Sequence, residues 1–383
     1  MRIIRLKYED LDSGWTLSNV SFNNTTLLVG ASGVGKTQIL EAIMRLKRIS
    51  SGASFSGLRW ELEFITTHNK TCLWTGHYES KGLSYFQHTD ENERNLPKII
   101  SEQLLINSKL VIDRDKDKIV FHDYKIPKLS PHQSALNLLK AEEMIKPIFS
   151  ALQNIIFTEH SSSNRREEFI NTDFLDKERL LRKYKTLESI RESEEKLETK
   201  LFLAFQNSKR ITSQIKERFI SVFPFVEDIR FCPFQSEVKN MPPFVKDMPF
   251  IQLKELNVDK WIPQFKISSG MFRTLMQISA IYLCSEGTVL LIDEFENSLG
   301  INCLDELTSE LLSGERRSLQ FIITSHHPYI INRIDVMNWK IVTRRGSLVK
   351  AQEATRYIEF DKSKQKAFIQ LTQLDEFTTG IER

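Results

Sequence analysis

Eight consecutive residues near the start of the chain combine glycine, lysine and threonine at the spacing of a phosphate-binding loop. They are Gly30, Ala31, Ser32, Gly33, Val34, Gly35, Lys36 and Thr37, with Gln38 directly after them. The run matches G-x-x-x-x-G-K-[ST] at every fixed position, and its glycines let the backbone curl so that N–H groups face phosphate oxygens. The ammonium of Lys36 would reach the β- and γ-phosphates of a nucleotide, and the hydroxyl of Thr37 would bind Mg²⁺. A glycine-rich turn that merely ends in lysine is the structural alternative, but a strand before the run and a helix after it favour the nucleotide site.

A pair of acids could complete this site from a distant part of the chain. Asp293 and Glu294 directly follow the apolar run Val289–Ile292. An acid at the end of a strand can hold Mg²⁺, and a second acid beside it can polarise an attacking water. Alone, the run could equally be a strand that leaves the core. Together with the P-loop it favours the functional interpretation, with Asp293 as a metal residue and Glu294 as the general base or water-orienting residue.

The first half of the chain predicts mostly strands, with one helix after the P-loop. Alternating apolar and polar residues from Leu58 onward are typical of an antiparallel meander. The predicted elements are strands Arg2–Tyr8 and Thr25–Val29, helix Gln38–Lys47, and strands Thr71–Tyr78, Gly82–His88, Leu110–Asp113 and Lys118–His122.

The middle of the chain has a different pattern. From Asn164 to Glu217 it holds neither proline nor glycine, and apolar residues recur at steps of three and four. This pattern predicts a helical hairpin or a short coiled-coil arm. Basic and acidic residues are nearly balanced there, which favours a solvated helical face over a DNA-tracking surface. Beyond it we predict helix Met271–Cys284, strand Thr288–Ile292, helix Leu304–Ser313, strand Leu319–Thr324, and strands around Ile341 and Leu348.

Composition and charge indicate the cellular compartment of the protein, but they do not identify a partner. The net charge is +3, and the four cysteines lie far apart without a CxxC or Cys/His pairing. We interpret them as reduced thiols of a cytoplasmic protein and not as a disulfide frame or a zinc site. The chain holds neither an apolar run long enough to span a bilayer nor a signal peptide, so no membrane partner is expected.

Ile267–Met271 (ISSGM) precedes the helix that leads to the acidic strand. Alone, a serine pair with glycine is what an ordinary helix N-cap looks like. Its position about twenty residues before the acids shifts the balance towards a functional motif.

The order of P-loop, helical insertion, ISSGM, LLIDEFENSLG and ITSHH resembles the ABC-type ATPase head of the SMC, RecF and RecN group. It is most similar to the compact ATPases of bacterial anti-phage defence and overcoming-lysogenisation proteins. In such heads two protomers sandwich ATP, and the signature motif of one caps the γ-phosphate held by the other. The resemblance thus implies ATP and Mg²⁺ as cofactors, a homodimer or higher homo-oligomer, and a contact in trans from Ser268 and Gly270.

The resemblance assigns further roles, some with alternatives. Residues 296–300 would be the dimer-facing loop, although the family usually has histidine where Gly300 stands. His326 resembles the switch histidine that contacts the γ-phosphate, with His327 as the alternative. Gln133 is the candidate for a glutamine that senses Mg²⁺, with Gln103 or a plain loop glutamine as alternatives.

The predicted fold class is α/β: an ABC-type P-loop NTPase with an N-terminal antiparallel meander and an inserted helical hairpin or short coiled-coil arm. The predicted segments are 1–150 (N-terminal half of the head), 151–222 (arm), 223–350 (C-terminal half with the signature, the acids and the histidine) and 351–383 (tail).

Three functions are compatible with these residues. The first is an ATPase that controls a separate effector, a nuclease or toxin, in phage defence, because too few residues follow His326 for a nuclease domain of the overcoming-lysogenisation type. The second is a RecF- or SMC-like ATPase of DNA repair or chromosome maintenance, which leaves DNA open as a ligand. The third is a non-hydrolysing scaffold gated by nucleotide, which Glu294 disfavours.

Overall fold

The computed structural model describes residues 1–82, 96–127, 130–158, 176–233, 248–297, 308–309, 318–358 and 363–381. The chain divides into two compact units. The sheet unit comprises Met1–Glu159, Glu286–Phe295 and Glu315–Arg383, and the helical unit comprises His160–Ser285 and Glu296–Gly314.

The strands are β1 (Arg2–Asp10), β2 (Trp15–Ser21), β3 (Thr25–Val29), β4 (Leu58–Ile65), β5 (Thr71–Tyr78), β6 (Ile99–Ile106), β7 (Lys109–Asp115), β8 (Ile119–Phe121), β9 (Tyr124–Ile126), β10 (Ile155–Thr158), β11 (Val226–Pro233), β12 (Pro249–Glu255), β13 (Ile262–Pro263), β14 (Val289–Ile292), β15 (Gln320–Thr324), β16 (Trp339–Arg345) and β17 (Leu348–Glu353). The helices are α1 (Lys36–Ser50), α2 (Ala135–Leu138), α3 (Lys146–Gln153), α4 (Lys177–Lys183), α5 (Leu187–Glu192), α6 (Leu197–Asn207), α7 (Lys209–Val222), α8 (Ser269–Leu283), α9 (Pro328–Arg333), α10 (Lys364–Gln373) and α11 (Asp375–Thr378). No helix within the described ranges is long and apolar enough to cross a membrane.

One mixed sheet runs through the sheet unit in the order β10-β14-β15-β3-β16-β17-β2-β1-β4-β5-β6-β7-β8-β9. The first five of these strands are parallel neighbours, and from β1 to β9 the neighbours are antiparallel. The predicted α/β fold with an antiparallel meander is therefore confirmed.

The parallel strands that carry the predicted motifs are buried along their whole length. Every residue of β3, β14 and β15 is buried, as expected for strands covered on both faces. Their registers set Leu28 beside Thr324 and Ile292 beside Ile323. The loops that follow these strands consequently leave the sheet at a common edge.

The meander contains two strands that the sequence did not predict, β6 and the short strand β9. In β6, Leu104 and Ile106 face the core together with a buried acid, Glu102. The charged residue interrupts the apolar alternation, so the pattern fails to predict a strand. The strand predicted over Gly82–His88 lies outside the described residues, apart from Gly82.

Glu102 is accommodated because a compact polar network surrounds it. Its Oε1 accepts hydrogen bonds from Trp74 Nε1 (3.0 Å) and from Ser134 Oγ, and its Oε2 accepts one from the backbone N–H of Ala135 (2.7 Å). The Arg114 guanidinium lies 3.8 Å away and donates to the carbonyls of Ser130 and Gln133. Burial lowers the pKa of Arg114, and the Glu102 carboxylate opposes that shift. The network fixes the loop 130–135 against the meander.

The helices predicted for the middle of the chain are confirmed in the helical unit. They are short and separate there. Helices α4 to α7 follow one another with brief breaks. Helices α4 to α6 enclose a small apolar core with part of the three-stranded sheet β11-β12-β13. This core includes Leu180, Tyr184, Ile190, Phe202, Leu203, Met248 and Phe250. Residues 223–285, assigned from sequence to the C-terminal half of the head, belong to this unit, and the four-part division stays a prediction. Helix Leu304–Ser313 falls almost wholly outside the described residues.

We expect Arg114→Leu to lower the free energy of unfolding by about 3 kcal/mol, because it leaves the buried Glu102 carboxylate without its cationic partner. Arg59→Leu is the matched control, since Arg59 forms an exposed ion pair with Glu9 and its loss should cost within about 1 kcal/mol. Urea unfolding followed by tryptophan fluorescence measures both variants. Equal unfolding midpoints for the two would contradict this account of the network.

Candidate functional site

The P-loop links β3 to α1 and depends on glycine at three positions. Gly30, Gly33 and Gly35 have φ angles of 145°, 79° and 106°, which residues with a Cβ rarely adopt. A Cβ on Gly30 would also lie 2.6 Å from the carbonyl oxygen of Val342. The loop is therefore curled tightly against β16, and the glycines are required by backbone conformation and by space.

The end of this loop is chemically suited to an anion. Helix α1 begins at Lys36 with Gly35 as its N-cap, and it has neither a side-chain cap nor an acid in its first turn among the described residues. Its N-terminal amides and helix dipole thus present partial positive charge. The ammonium of Lys36 donates to the carbonyls of Gly30 and Ala31, each at 2.8 Å, so a full positive charge lies over the loop.

Asp293 connects the P-loop to two neighbouring strands. The Thr37 hydroxyl donates to its carboxylate, with Oγ1 at 2.9 and 3.1 Å from the two oxygens. The Thr324 hydroxyl donates to the same carboxylate at 2.6 Å. Asp293 is 9% exposed, and a buried carboxylate requires such donors. The structure therefore brings Thr37 and Asp293 together, as expected from the sequence, and adds Thr324.

Glu294 adopts a backbone conformation that is unusual for a residue other than glycine. Its φ angle is 44°, in the left-handed region that costs roughly 1–2 kcal/mol outside glycine. Its N–H donates to Thr324 Oγ1 at 2.7 Å, and the N–H of the buried Phe295 donates to the Thr324 carbonyl at 3.0 Å. The Glu294 side chain is exposed. Strain held by its surroundings in this way is typical of functional sites.

The oxygen donors beside the P-loop fit a magnesium ion. A threonine hydroxyl and a carboxylate are hard ligands of the kind that Mg²⁺ takes together with nucleotide phosphates. Thr37 and Asp293 supply both within hydrogen-bonding distance of each other.

The structure separates the two histidines that the sequence left as alternatives. The His327 ring accepts a hydrogen bond from the Tyr329 N–H at 3.2 Å and so caps α9. His326 is exposed and follows β15 by a single buried residue, Ser325. This arrangement favours His326 as the functional candidate.

Ser268 and Gly270 belong to the helical unit and begin α8 there. Ser268 is exposed, and its Oγ accepts from the Met271 N–H at 3.3 Å, which makes it the N-cap. Ser268 thus has the ordinary structural role of an N-cap residue. The N-terminus of α8 that it caps is exposed and could also bind an anion. Of the loop 296–300, the residues Ser298–Gly300 lie outside the described part.

Gln133 does not lie at the P-loop. Its Oε1 accepts from Asn137 Nδ2 at 3.1 Å, and its Cδ would lie 3.7 Å from a Cβ on Gly52, just beyond the last residue of α1. Thr37 lies at the opposite end of this 15-residue helix, which is about 22 Å long at 1.5 Å per residue. The alternative, Gln103, donates to Asp113 on the exposed face of the meander.

β10, a strand that the sequence did not predict, borders the acidic strand. β10 pairs with β14, and Thr158 is opposite Ile292. The chain therefore leaves β10 at the Asp293 edge, and residues 159–175, which follow, lie outside the described ranges. Sequence patterns missed this because β10 is short and follows a helix directly.

The chain has the fold of an ABC-type, SMC-like P-loop ATPase head, with Thr37 of the P-loop bonded to Asp293 of the neighbouring strand. The family described as "AAA domain, putative AbiEii toxin, Type IV TA system" matches residues 25–332. This match spans most of the chain, and the protein belongs to that family.

Solved structures add a likeness in fold. An SMC head bound to the C-terminal winged-helix domain of ScpA is 14% identical, with 92% of this chain and 97% of that chain covered and a TM-score of 0.52. The SMC head domain from Thermotoga maritima is 14% identical over 92% and 99% of the chains, with a TM-score of 0.42. An SMC head with an extended coiled coil, bound to the C-terminal domain of ScpA and derived from Pyrococcus furiosus, is 13% identical over 97% and 99%, with a TM-score of 0.46. The first likeness shows a shared fold. No curated protein matches the chain.

We expect Thr324→Val to weaken the binding of magnesium–ATP about tenfold, because Asp293 loses a donor and the Glu294 N–H loses its acceptor. Affinity for ATP in the presence of EDTA should change little. Isothermal titration calorimetry with and without Mg²⁺ measures both values. Thr26→Val is the control, since Thr26 is equally buried on β3 and its hydroxyl serves only the Asn23 N–H among the bonds described. A loss of affinity that is independent of Mg²⁺ would contradict the assignment.

Proposed function

We propose that this protein hydrolyses ATP with bound Mg²⁺, that two copies close around ATP, and that this cycle controls a separate effector. The observation that carries the proposal is the bond of Thr37 to Asp293 across 256 residues of sequence. That bond unites a P-loop with the acid of a neighbouring strand, and the strained Glu294 follows directly.

The roles of the residues follow from their chemistry. The α1 amides and the Lys36 ammonium bind the β- and γ-phosphates, with Ser32, Gly33 and Gln38 exposed around them. Thr37 and Asp293 would hold Mg²⁺, which would supply positive charge against the charge that develops on the phosphate oxygens.

Glu294 is the residue proposed to act on water. Its carboxylate accepts a proton from a water whose oxygen bonds to the γ-phosphorus, while the bond from that phosphorus to the bridging oxygen breaks and leaves ADP. The hydrogen bond of its N–H to Thr324 fixes the backbone of Glu294. Its carboxylate is therefore oriented before the reaction begins. His326, exposed beyond β15, is assigned to the γ-phosphate.

The second copy supplies the remaining contact. Ser268 and Gly270 present the N-terminus of the 15-residue helix α8, which is suited to a phosphate. We propose that they cap the γ-phosphate bound by the partner, which makes ATP the bridge of a symmetric dimer.

Control of an effector in bacterial anti-phage defence is the proposed biological role, in the cytoplasm. The family description names a putative toxin of a type IV toxin–antitoxin system, which agrees with a two-component defence module. An SMC head has also been crystallised with a separate protein domain, so this fold accommodates partner chains. Direct action on DNA, as in repair ATPases, is the competing outcome of the experiment below.

We expect Glu294→Gln to reduce ATP turnover by about 10²-fold or more while retaining ATP binding. The trapped ATP should then hold the protein as a dimer in light scattering with Mg²⁺ present. Glu286→Gln, an exposed acid at the opposite end of β14, should behave as wild type. Adding Ser268→Arg to Glu294→Gln should restore the monomer, because the arginine fills the helix N-terminus. Unchanged turnover would remove Glu294 as the base. An oligomer that forms without ATP would contradict the proposal that two copies close around ATP.

The effector is sought by purifying Glu294→Gln protein from its native host with the neighbouring genes intact and with ATP and Mg²⁺ present. We expect one stoichiometric nuclease or toxin-like chain, identified by mass, that is absent from parallel preparations of Ser268→Arg. Recovery of DNA without a partner protein would favour the repair function instead. Recovery of neither would contradict control of an effector.

A further inference from the structure

The segment Asp375–Ile381, which we call the brace, packs against the P-loop and is bonded to β16. The backbone N–H of Arg344, on β16, donates to the Gly380 carbonyl at 2.7 Å. The Arg344 guanidinium also reaches the Gly33 carbonyl, with Nη1 at 3.5 Å. The brace is thereby attached to the strand that borders the loop.

Gly380 touches the loop itself. It is buried, with a φ angle of 73°. A Cβ added there would overlap Cγ1 of Val34 and would lie 3.3 Å from the Cβ of Ala31. The close approach of the brace to two P-loop side chains therefore requires glycine at 380.

Val34 transmits this contact into the loop. Its side chain is 5% exposed, and its Cγ2 would lie 3.5 Å from a Cβ on Gly30. Val34 thus lies between the first glycine of the loop and Gly380, and it fills the space inside the curl. Any shift of Val34 would displace the backbone that presents amides to phosphate.

The brace is held by its own turn and by the helix that precedes it. Thr379 closes the turn of α11, with its N–H and Oγ1 bonded to the Asp375 carbonyl at 2.8 and 2.7 Å. The preceding helix α10 buries Ala367 and Leu371. Lys364, at the start of α10, pairs with Asp335 at 2.6 Å. The segment therefore supports the Val34 side chain on the side opposite Gly30.

We propose that the brace is a positioning element for nucleotide binding: its Gly380 holds Val34, and Val34 holds the P-loop in the curl that binds the phosphates of ATP or ADP. The inference rests on the proposed nucleotide site. Because coupling is reciprocal, phosphate binding must in turn stabilise the packing of the brace.

The test compares Gly380→Ala with Gly14→Ala. Gly14 has nearly the same φ angle, 71°, but a Cβ there would meet nothing within 4 Å, so it controls for backbone strain alone. We expect Gly380→Ala to raise the Kd for magnesium–ATP and magnesium–ADP about tenfold, as an over-packed methyl group would. Gly14→Ala should stay within about twofold of wild type. Equal affinities for the two variants would overturn the proposal.

Two further measurements separate positioning from general damage. In a Val34→Ala background the atom that the new methyl group would overlap, Cγ1 of Val34, is gone, so adding Gly380→Ala should weaken binding by less than about threefold relative to Val34→Ala alone. In wild-type protein, ATP should slow amide hydrogen exchange in residues 375–381. An undiminished effect in the first measurement, or unchanged exchange in the second, would overturn the brace. Wild-type protein that bound no nucleotide would overturn the proposed function itself.

Discussion

The carboxylate of Asp293 holds the candidate site together. It accepts hydrogen bonds from Thr37 at the start of α1 and from Thr324 at the end of β15, so three chain segments are tied at one buried charge. Such a carboxylate is costly without donors, which gives the arrangement its rigidity. It is possible only because β3, β14 and β15 are parallel neighbours whose carboxyl ends share one edge of the sheet. The positions of the P-loop, Glu294 and His326 are set by that edge.

Local strain in the site is supported by the same strands. The left-handed backbone of Glu294 persists because its N–H is bonded to Thr324, and the next residue, Phe295, is buried. The P-loop curl persists because Gly30 fits under the Val342 carbonyl. Both departures from ordinary backbone geometry follow fully buried strands, where the surrounding packing can offset their cost.

The helical unit illustrates how one geometry can serve two purposes. Ser268 caps α8 as any serine would, and the same cap leaves an exposed helix N-terminus that can bind an anion. A sequence pattern does not separate these uses because both require the same residue types at the same positions. Family membership strengthens the functional interpretation, since the match includes this segment. The charge balance of α4 to α7 gives the unit no comparable chemical signature.

The sequence by itself determined the P-loop, the acids at the end of the β14 strand, and most of the parallel strands, because these depend on short-range patterns of glycine and apolar residues. It missed β6, where the inward-facing Glu102 is accommodated by donors from Trp74, Ser134 and Ala135 and by the Arg114 guanidinium. It did not reveal Thr324 as the link between the two acids, and it led to Gln133, which lies at the wrong end of α1. Only the tertiary structure decided these points, because side-chain proximity across a sheet depends on strand order and register. Neither can be read from the spacing of residues along the chain.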